Sequence, residues 1–180
     1  MPADLTAAVV RSLLERGLTV ATAESLTAGL LAAALADVPG ASGTLQGGVV
    51  AYQNRVKEQV LGVDADLLEH RGAVDGDVAV QMAQGVRRVL GADVGLATTG
   101  VAGPEPHQGK AVGTVYLGIS GLGEDHSALL HLEGDRPAIR RATVGLMLEH
   151  LQDLLSRHTP PAGTSVPGNT GGSSSGGGRR

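Results

Sequence analysis

The chain has 180 residues, a net charge of −4 at pH 7 and a pI near 5.8, with no Cys, Trp or Phe. That balance speaks against a nucleic-acid partner, since nucleic-acid proteins carry a basic patch or stripe and stack bases on aromatic rings. Without cysteine there are no disulfides, thiolate metal sites or cysteine nucleophiles, and none of the six histidines forms an HExxH-type pair, so no metal is expected. Met1-Pro2-Ala3-Asp4-Leu5 lacks the basic-then-apolar pattern of a signal peptide. No apolar run approaches the roughly 18 residues of a membrane span. A cytoplasmic protein without membrane partners is therefore expected.

Residues 4–16 place Leu5, Val9, Leu13 and Leu14 on one helical face. Thr19 to Ala23 reads as a buried strand running into Glu24-Ser25, with Ser25 a good N-cap for a Leu- and Ala-rich helix from Leu26 to about Ala36. Pro39-Gly40 ends that helix, and residues 44–52 form a second strand around Val49 and Val50. Asn54 can cap a short helix closing at Gly62, and Asp64 can start another that ends near Gly72. Asp77 can cap a longer helix through Val78, Met82, Val86 and Leu90, closing at Gly91. Val94 to Thr99 is a strand that opens onto Gly100-Val101-Ala102-Gly103-Pro104. Val112 to Ile119 and about Ser127 to Leu132 read as paired strands, followed by a helix from about Arg136 to Leu155. This alternation predicts one α/β domain over residues 1–158, a three-layer α/β/α sandwich with a mixed β-sheet. Residues 159–180, rich in Gly, Ser and Pro, cannot bury enough apolar surface to offset their ordering entropy, and a disordered tail is expected there.

Of the fourteen basic residues only Lys57 and Lys110 are lysines, and Tyr52 and Tyr116 are the only aromatic residues of the Phe, Trp and Tyr class. Arg cannot be deprotonated in a protein, whereas a Lys amine becomes a base when its pKa is lowered. With Asn54 as N-cap, Lys57 would sit at the positive end of a helix dipole, which disfavours the ammonium form, and partial burial would lower its pKa further. A neutral amine beside a hydroxyl is the Ser–Lys form of nucleophilic catalysis. Ser42 offers such a hydroxyl in the Gly-flanked loop Gly40-Ala41-Ser42-Gly43. The alternative is a solvated helix lysine and an ordinary loop serine.

Ser25 and Thr27, with nearby backbone N–H groups, would suit an anion or a carbonyl oxygen at a helix start, or Ser25 is a plain cap. Arg136 and Arg140 share a helix face at i,i+4 spacing and could bind a phosphate, the alternative being a solvated helix start capped by Asp135. Gly103 to Lys110 looks like a P-loop, but its glycines are one residue too far apart, Ala111 follows the lysine, and a strand follows instead of a helix.

In their order and spacing these clusters resemble the C-terminal domain of the CinA (competence/damage-inducible) proteins, over roughly residues 5–156. The matching segments are Thr22-Ala23-Glu24-Ser25 with Thr27, Gly47 to Tyr52 with Asn54 and Lys57, Gly72-Ala73-Val74, Gly100 to Pro104, Val112 to Tyr116, and Gly134-Asp135-Arg136. The resemblance implies a nicotinamide-nucleotide amidohydrolase. Such an enzyme hydrolyses the carboxamide of nicotinamide mononucleotide to nicotinate mononucleotide and ammonia, without metal or other cofactor. It implies Ser42 as nucleophile, Lys57 as its base and Tyr52 as proton relay or orienting group. It further implies a substrate-binding set of Glu24, Ser25, Thr27, Thr99 and Gly100, with Arg136 or Arg140 on the phosphate. A small-molecule pyridine nucleotide is thus the expected partner, and a homo-oligomer the expected assembly. The family's first motif usually reads Ser-Cys-Thr-Gly-Gly, where this chain has Ser25-Leu26-Thr27-Ala28-Gly29. Asp75 stands where the family usually has Ser, and Glu105, Pro106 and His107 replace a glycine-rich stretch. A non-catalytic nucleotide-binding or adaptor module is the alternative these departures leave open.

Overall fold

The computed structural model describes residues 3–158, so the tail expected at residues 159–180 lies outside the described residues. Five strands form one mixed sheet in the order β2-β1-β3-β4-β5. Strands β1 (Val20–Glu24), β2 (Leu45–Val50) and β3 (Val94–Gly100) run parallel, and β4 (Thr114–Gly121) and β5 (Glu124–His131) complete the sheet as an antiparallel pair. Helices α1 (Ala3–Glu15), α2 (Leu30–Ala36) and α6 (Arg136–Arg157) cover one face. Helices α3 (Asn54–Gln59), α4 (Ala65–Arg71) and α5 (Gly76–Leu90) lie on the other side. The three-layer α/β/α sandwich with a mixed sheet is as the strand–helix alternation predicts. Among the described residues, no helix is long and apolar enough to cross a membrane.

The two faces of the sheet solve the lack of large aromatics differently. Toward α1 and α6 the strands present Val20, Val94, Leu96, Val115, Leu117 and Ile119, which interlock with Leu13, Ile139, Met147 and Leu151. Toward α5 they present Ala21, Ala23 and Ala97, with Gly95 and Gly118 between them. There the helix backbone rests directly on the sheet. A Cβ on Gly118 would lie 2.2 Å from the Ala79 carbonyl oxygen, and one on Gly95 would lie 2.0 Å from that of Ala83. Close packing is reached by bringing backbones together, without filling the gap with bulky rings.

Several boundaries differ from the sequence reading, each for a local reason. Helix α2 begins at Leu30 instead of Leu26, because residues 25–29 form a turn held by Glu24. Helix α5 is capped by Asp75, whose carboxylate accepts from Asp77 N, so Asp77 is inside the first turn. Helix α3 has Gln53 as its N-cap, without a side-chain cap bond, and Asn54 is its first residue. Asp64 caps α4 as expected, accepting from the N–H groups of Asp66 and Leu67.

Since α5 touches the sheet through main chain, Gly118→Ala should be more costly than a surface glycine change. We expect a loss of about 3 kcal/mol, against about 1–2 kcal/mol for Gly123→Ala, which meets no neighbour and carries only the strain of its positive φ. Equilibrium denaturation of the two variants checks this.

Candidate active site

Parallel pairing of β1 with both β2 and β3 brings three strand ends side by side, with Glu24 opposite Val50 and Thr98. Ligand sites in such sheets gather beyond the carboxyl ends of the strands. Here those ends open into a cleft of about 580 Å³. Ser25 and Leu26 follow β1, Tyr52, Gln53, Asn54 and Lys57 follow β2, Thr99 and Gly100 end β3 and Val101 through Gln108 follow it; Arg136 reaches in from the start of α6.

Lys57 is the centre of this cleft. Its side chain is 1% exposed and is among the largest fully buried side chains of the protein. Nζ donates to the Ala51 carbonyl at 2.8 Å, to Ser25 Oγ at 3.2 Å and to the Tyr52 carbonyl at 3.4 Å. Among the described residues no carboxylate pairs with it. Burial disfavours the charged amine and brings its pKa from 10.5 down to about 8. On deprotonation the Ser25 contact reverses, and the hydroxyl donates to the amine lone pair.

Ser42 is not part of this arrangement. It is exposed in a single 3-10 turn, Ala41–Gly43, that precedes β2. Val20 N, at the start of β1, donates to the Thr44 carbonyl, so this turn lies at the opposite end of the sheet. The length of β2, roughly 20 Å at the usual strand rise, separates Ser42 from Lys57. The hydroxyl that Lys57 meets is that of Ser25. Parallel pairing cannot fold the Ser42 loop back as a hairpin would.

Three residues expected to touch substrate instead hold the Ser25 turn. Glu24 is 1% exposed, and its carboxylate accepts from the N–H groups of Gly29, Leu31 and Ala32 and from the Thr22 hydroxyl. It thereby supplies the cap that α2 lacks in its own turn. Thr27 is fully buried, its hydroxyl paired with that of Thr98 at 2.7 Å. Arg140 does not line the cleft. Its Nε donates to the Leu26 carbonyl at 2.8 Å and its Nη2 to the Thr27 carbonyl at 2.7 Å. Next in the chain, Ala28 (φ +50°) and Gly29 (φ +96°) are both left-handed and Leu30 N bonds back to the Thr27 carbonyl, the pattern of a type I′ turn. Ala28 occupies that turn at a cost of about 1–2 kcal/mol relative to an unstrained backbone.

The other expected residues do meet in the cleft. Thr99 lines it, its hydroxyl donating to the Ala73 carbonyl at 2.6 Å, and Gly100 lies beside it. A Cβ on Gly100 would lie 2.7 Å from the Thr114 carbonyl oxygen, so the position has no room for a side chain. Arg136 bridges the mouth, donating to Tyr52 Oη and to the Gly103 carbonyl at 2.8 Å each. The sequence reading took Glu105 only as a departure that bears on the pocket and gave His107 and Gln108 no binding role; all three line the cleft, and Gln108 Oε1 accepts from Ala73 N at 3.2 Å. The signal available for them was the rejected P-loop itself, a polar loop directly after a buried strand. No three His, Asp or Glu side chains among the described residues are grouped to hold a metal ion.

The family model described as CinA C-terminal domain matches residues 2–155. A CinA-like protein of Frankia casuarinae is 47% identical over 153 residues, covering 85% of this chain and 35% of the relative. A putative competence-damage inducible protein of Desulforamulus reducens is 49% identical over 147 residues, covering 82% of this chain and 36% of the relative. The chain thus spans about a third of the length of these curated relatives. Solved structures are matched nearly whole. The competence damage-inducible protein A of Klebsiella pneumoniae superposes with a TM-score of 0.85 at 33% identity, covering 87% of this chain and 98% of that one. The competence/damage inducible protein of Agrobacterium tumefaciens gives 0.81 at 36%, covering 84% and 94%.

Burial of Lys57 couples its titration to folding. Below about pH 8 the amine is protonated in both the folded and unfolded chain, and folding then carries the full cost of burying the charge. Between about 8 and 10.5 the unfolded chain binds the additional proton, so this residue's contribution makes stability rise with pH, by up to about 3 kcal/mol. Denaturant titrations from pH 7 to 10 should show that rise in the wild-type chain relative to Lys57→Met, whose stability lacks the Lys57 component.

Proposed function

Since the chain belongs to the CinA C-terminal domain family, we propose that its cleft hydrolyses the carboxamide of a pyridine mononucleotide, with Ser25 as nucleophile and Lys57 as base. The supporting observation is the 3.2 Å contact between Ser25 Oγ and a buried lysine amine that has no carboxylate partner among the described residues. The neutral amine takes the Ser25 proton as Oγ attacks the carboxamide carbon. The resulting ammonium returns a proton to the departing nitrogen, the C–N bond breaks, and ammonia leaves an acyl ester on Ser25. Water, deprotonated by the same amine, attacks that ester and releases the carboxylic acid, so that the net reaction consumes one water. Atoms and protons balance without a metal or redox partner.

The cleft volume falls within the range of small-molecule sites. Arg136 at the mouth offers a cation to a substrate phosphate, and the Tyr52 hydroxyl it holds stands on the same wall. Nicotinamide mononucleotide combines the three required parts: a carboxamide for Ser25, a ring and ribose to fill the cleft, and a phosphate for Arg136.

Incubation with nicotinamide mononucleotide should release ammonia and nicotinate mononucleotide. Ser25→Ala should lower turnover by at least ~1,000-fold, whereas Ser42→Ala leaves it unchanged; the reverse pattern would return the nucleophile to Ser42. Lys57→Arg should be inactive although it keeps the charge, since a guanidinium cannot accept the proton. The kcat/KM profile should climb with pH and level off above about 8, following the neutral form of Lys57. Tight nucleotide binding without turnover by the folded wild-type protein would instead favour a binding module.

A further inference from the structure

Arg140 is placed as a structural cation with no ionic partner among the described residues. It rises from the second turn of α6, between Ile139, fully buried in the core, and the exposed Arg141. Asp135 fixes the start of that helix by accepting from Ala138 N at 2.8 Å. From this anchored base the guanidinium spends two charge-assisted bonds, at 2.8 and 2.7 Å, on consecutive main-chain carbonyls that belong to no helix or strand. A planar fork bonded to two successive carbonyls restrains the peptide planes that follow Leu26 and Thr27.

Those planes lie immediately after Ser25. On the other side Glu24 holds the N–H groups of Gly29, Leu31 and Ala32. The nucleophile turn is therefore tied between a buried carboxylate and a guanidinium from a different layer of the sandwich. The turn needs such ties, because Ala28 sits at φ +50° where glycine would be unstrained. Without Arg140 the Thr27 carbonyl would keep only its bond from Leu30 N, at 3.2 Å, to hold that peptide against a flip that would relieve the strain and shift the chain carrying Ser25.

We propose that Arg140 is a positioning residue for the nucleophile: by holding the Leu26 and Thr27 carbonyls it keeps Ser25 Oγ within reach of Lys57 Nζ. The inference rests on the Ser25–Lys57 reading above. It assigns Arg140 no contact with substrate, and it ties the residue to Ala28, the left-handed non-glycine residue of the same turn.

The test is steady-state hydrolysis of nicotinamide mononucleotide by full-length Arg140→Met, Arg140→Lys and the double variant Arg140→Met/Ala28→Gly, with nucleotide affinity measured separately by calorimetry. In Arg140→Met, kcat should fall roughly 10- to 100-fold while KM and the calorimetric Kd stay within about threefold, as for a displaced catalytic group. Arg140→Lys, with a single-point donor, should retain more activity than Arg140→Met. Ala28→Gly should restore part of the lost kcat in the Arg140→Met background, because Gly-Gly accepts the type I′ turn without a clamp. An unchanged kcat in Arg140→Met, a loss confined to KM and Kd, or no recovery in the double variant would overturn the proposal. If Arg140→Met does not fold, the comparison of Arg140→Lys with Arg140→Lys/Ala28→Gly decides by the same criterion. A wild-type protein that neither hydrolyses the nucleotide nor reacts at Ser25 with a sulfonyl fluoride removes the hydrolase reading, and this proposal falls with it. An active wild type with an indifferent Arg140→Met removes this proposal alone.

Discussion

Everything at the cleft depends on β1 having parallel neighbours on both sides. The register that sets Glu24 opposite Val50 and Thr98 makes three chain segments turn outward at one level of the sheet. Ser25, Tyr52 and Thr99 are brought together by that alone, though up to 74 residues separate them in sequence. The same geometry sends every segment that precedes a parallel strand to the far end. A serine before β2 and a lysine after it are near in sequence and a strand's length apart in space. A serine after β1 and a lysine after β2 are distant in sequence and hydrogen-bonded.

Around this frame, charged groups serve the main chain more than they serve one another. Glu24 accepts from three backbone N–H groups, Arg140 donates to two carbonyls, and Lys57 donates to two carbonyls and a hydroxyl. Buried charges without ionic partners are costly unless hydrogen-bonded. Here the bonds are directed at the irregular segments around Ser25 and Tyr52 and at the first N–H groups of α2, which have no partner within the helix. Burial brings the pKa of Lys57 down to about 8, and a proton can be exchanged there at moderate pH.

Much of the fold was legible in the sequence because its signals are local. Aliphatic periodicity marked α1 and α5, glycine closed α5, and the Gly-rich turn marked the β4–β5 pair. The lysine count singled out Lys57, and the motif order identified the family. What stayed hidden was non-local. Ser25 has the sequence profile of a helix cap, and only the parallel register shows it facing Lys57. Glu24 and Arg140 read as substrate-binding residues, whereas both turn inward to backbone atoms of residues 26–32. Thr27 reads as a ligand hydroxyl, and its pairing with Thr98 depends on a strand some seventy residues away.

Tyr52 and Tyr116 are the only near-ultraviolet chromophores of any strength in a chain without Trp or Phe. Tyr116 is half-buried within β4, while Tyr52 stands half-exposed at the mouth of the cleft with its hydroxyl on Arg136. The protein's tyrosine absorbance and emission therefore arise from one ring in the scaffold and one at the site. A ligand that draws Arg136 away changes the electrostatic surroundings of the second ring and leaves the first as an internal reference. In this molecule the scarcity of aromatic residues makes site occupancy optically distinct from the rest of the fold.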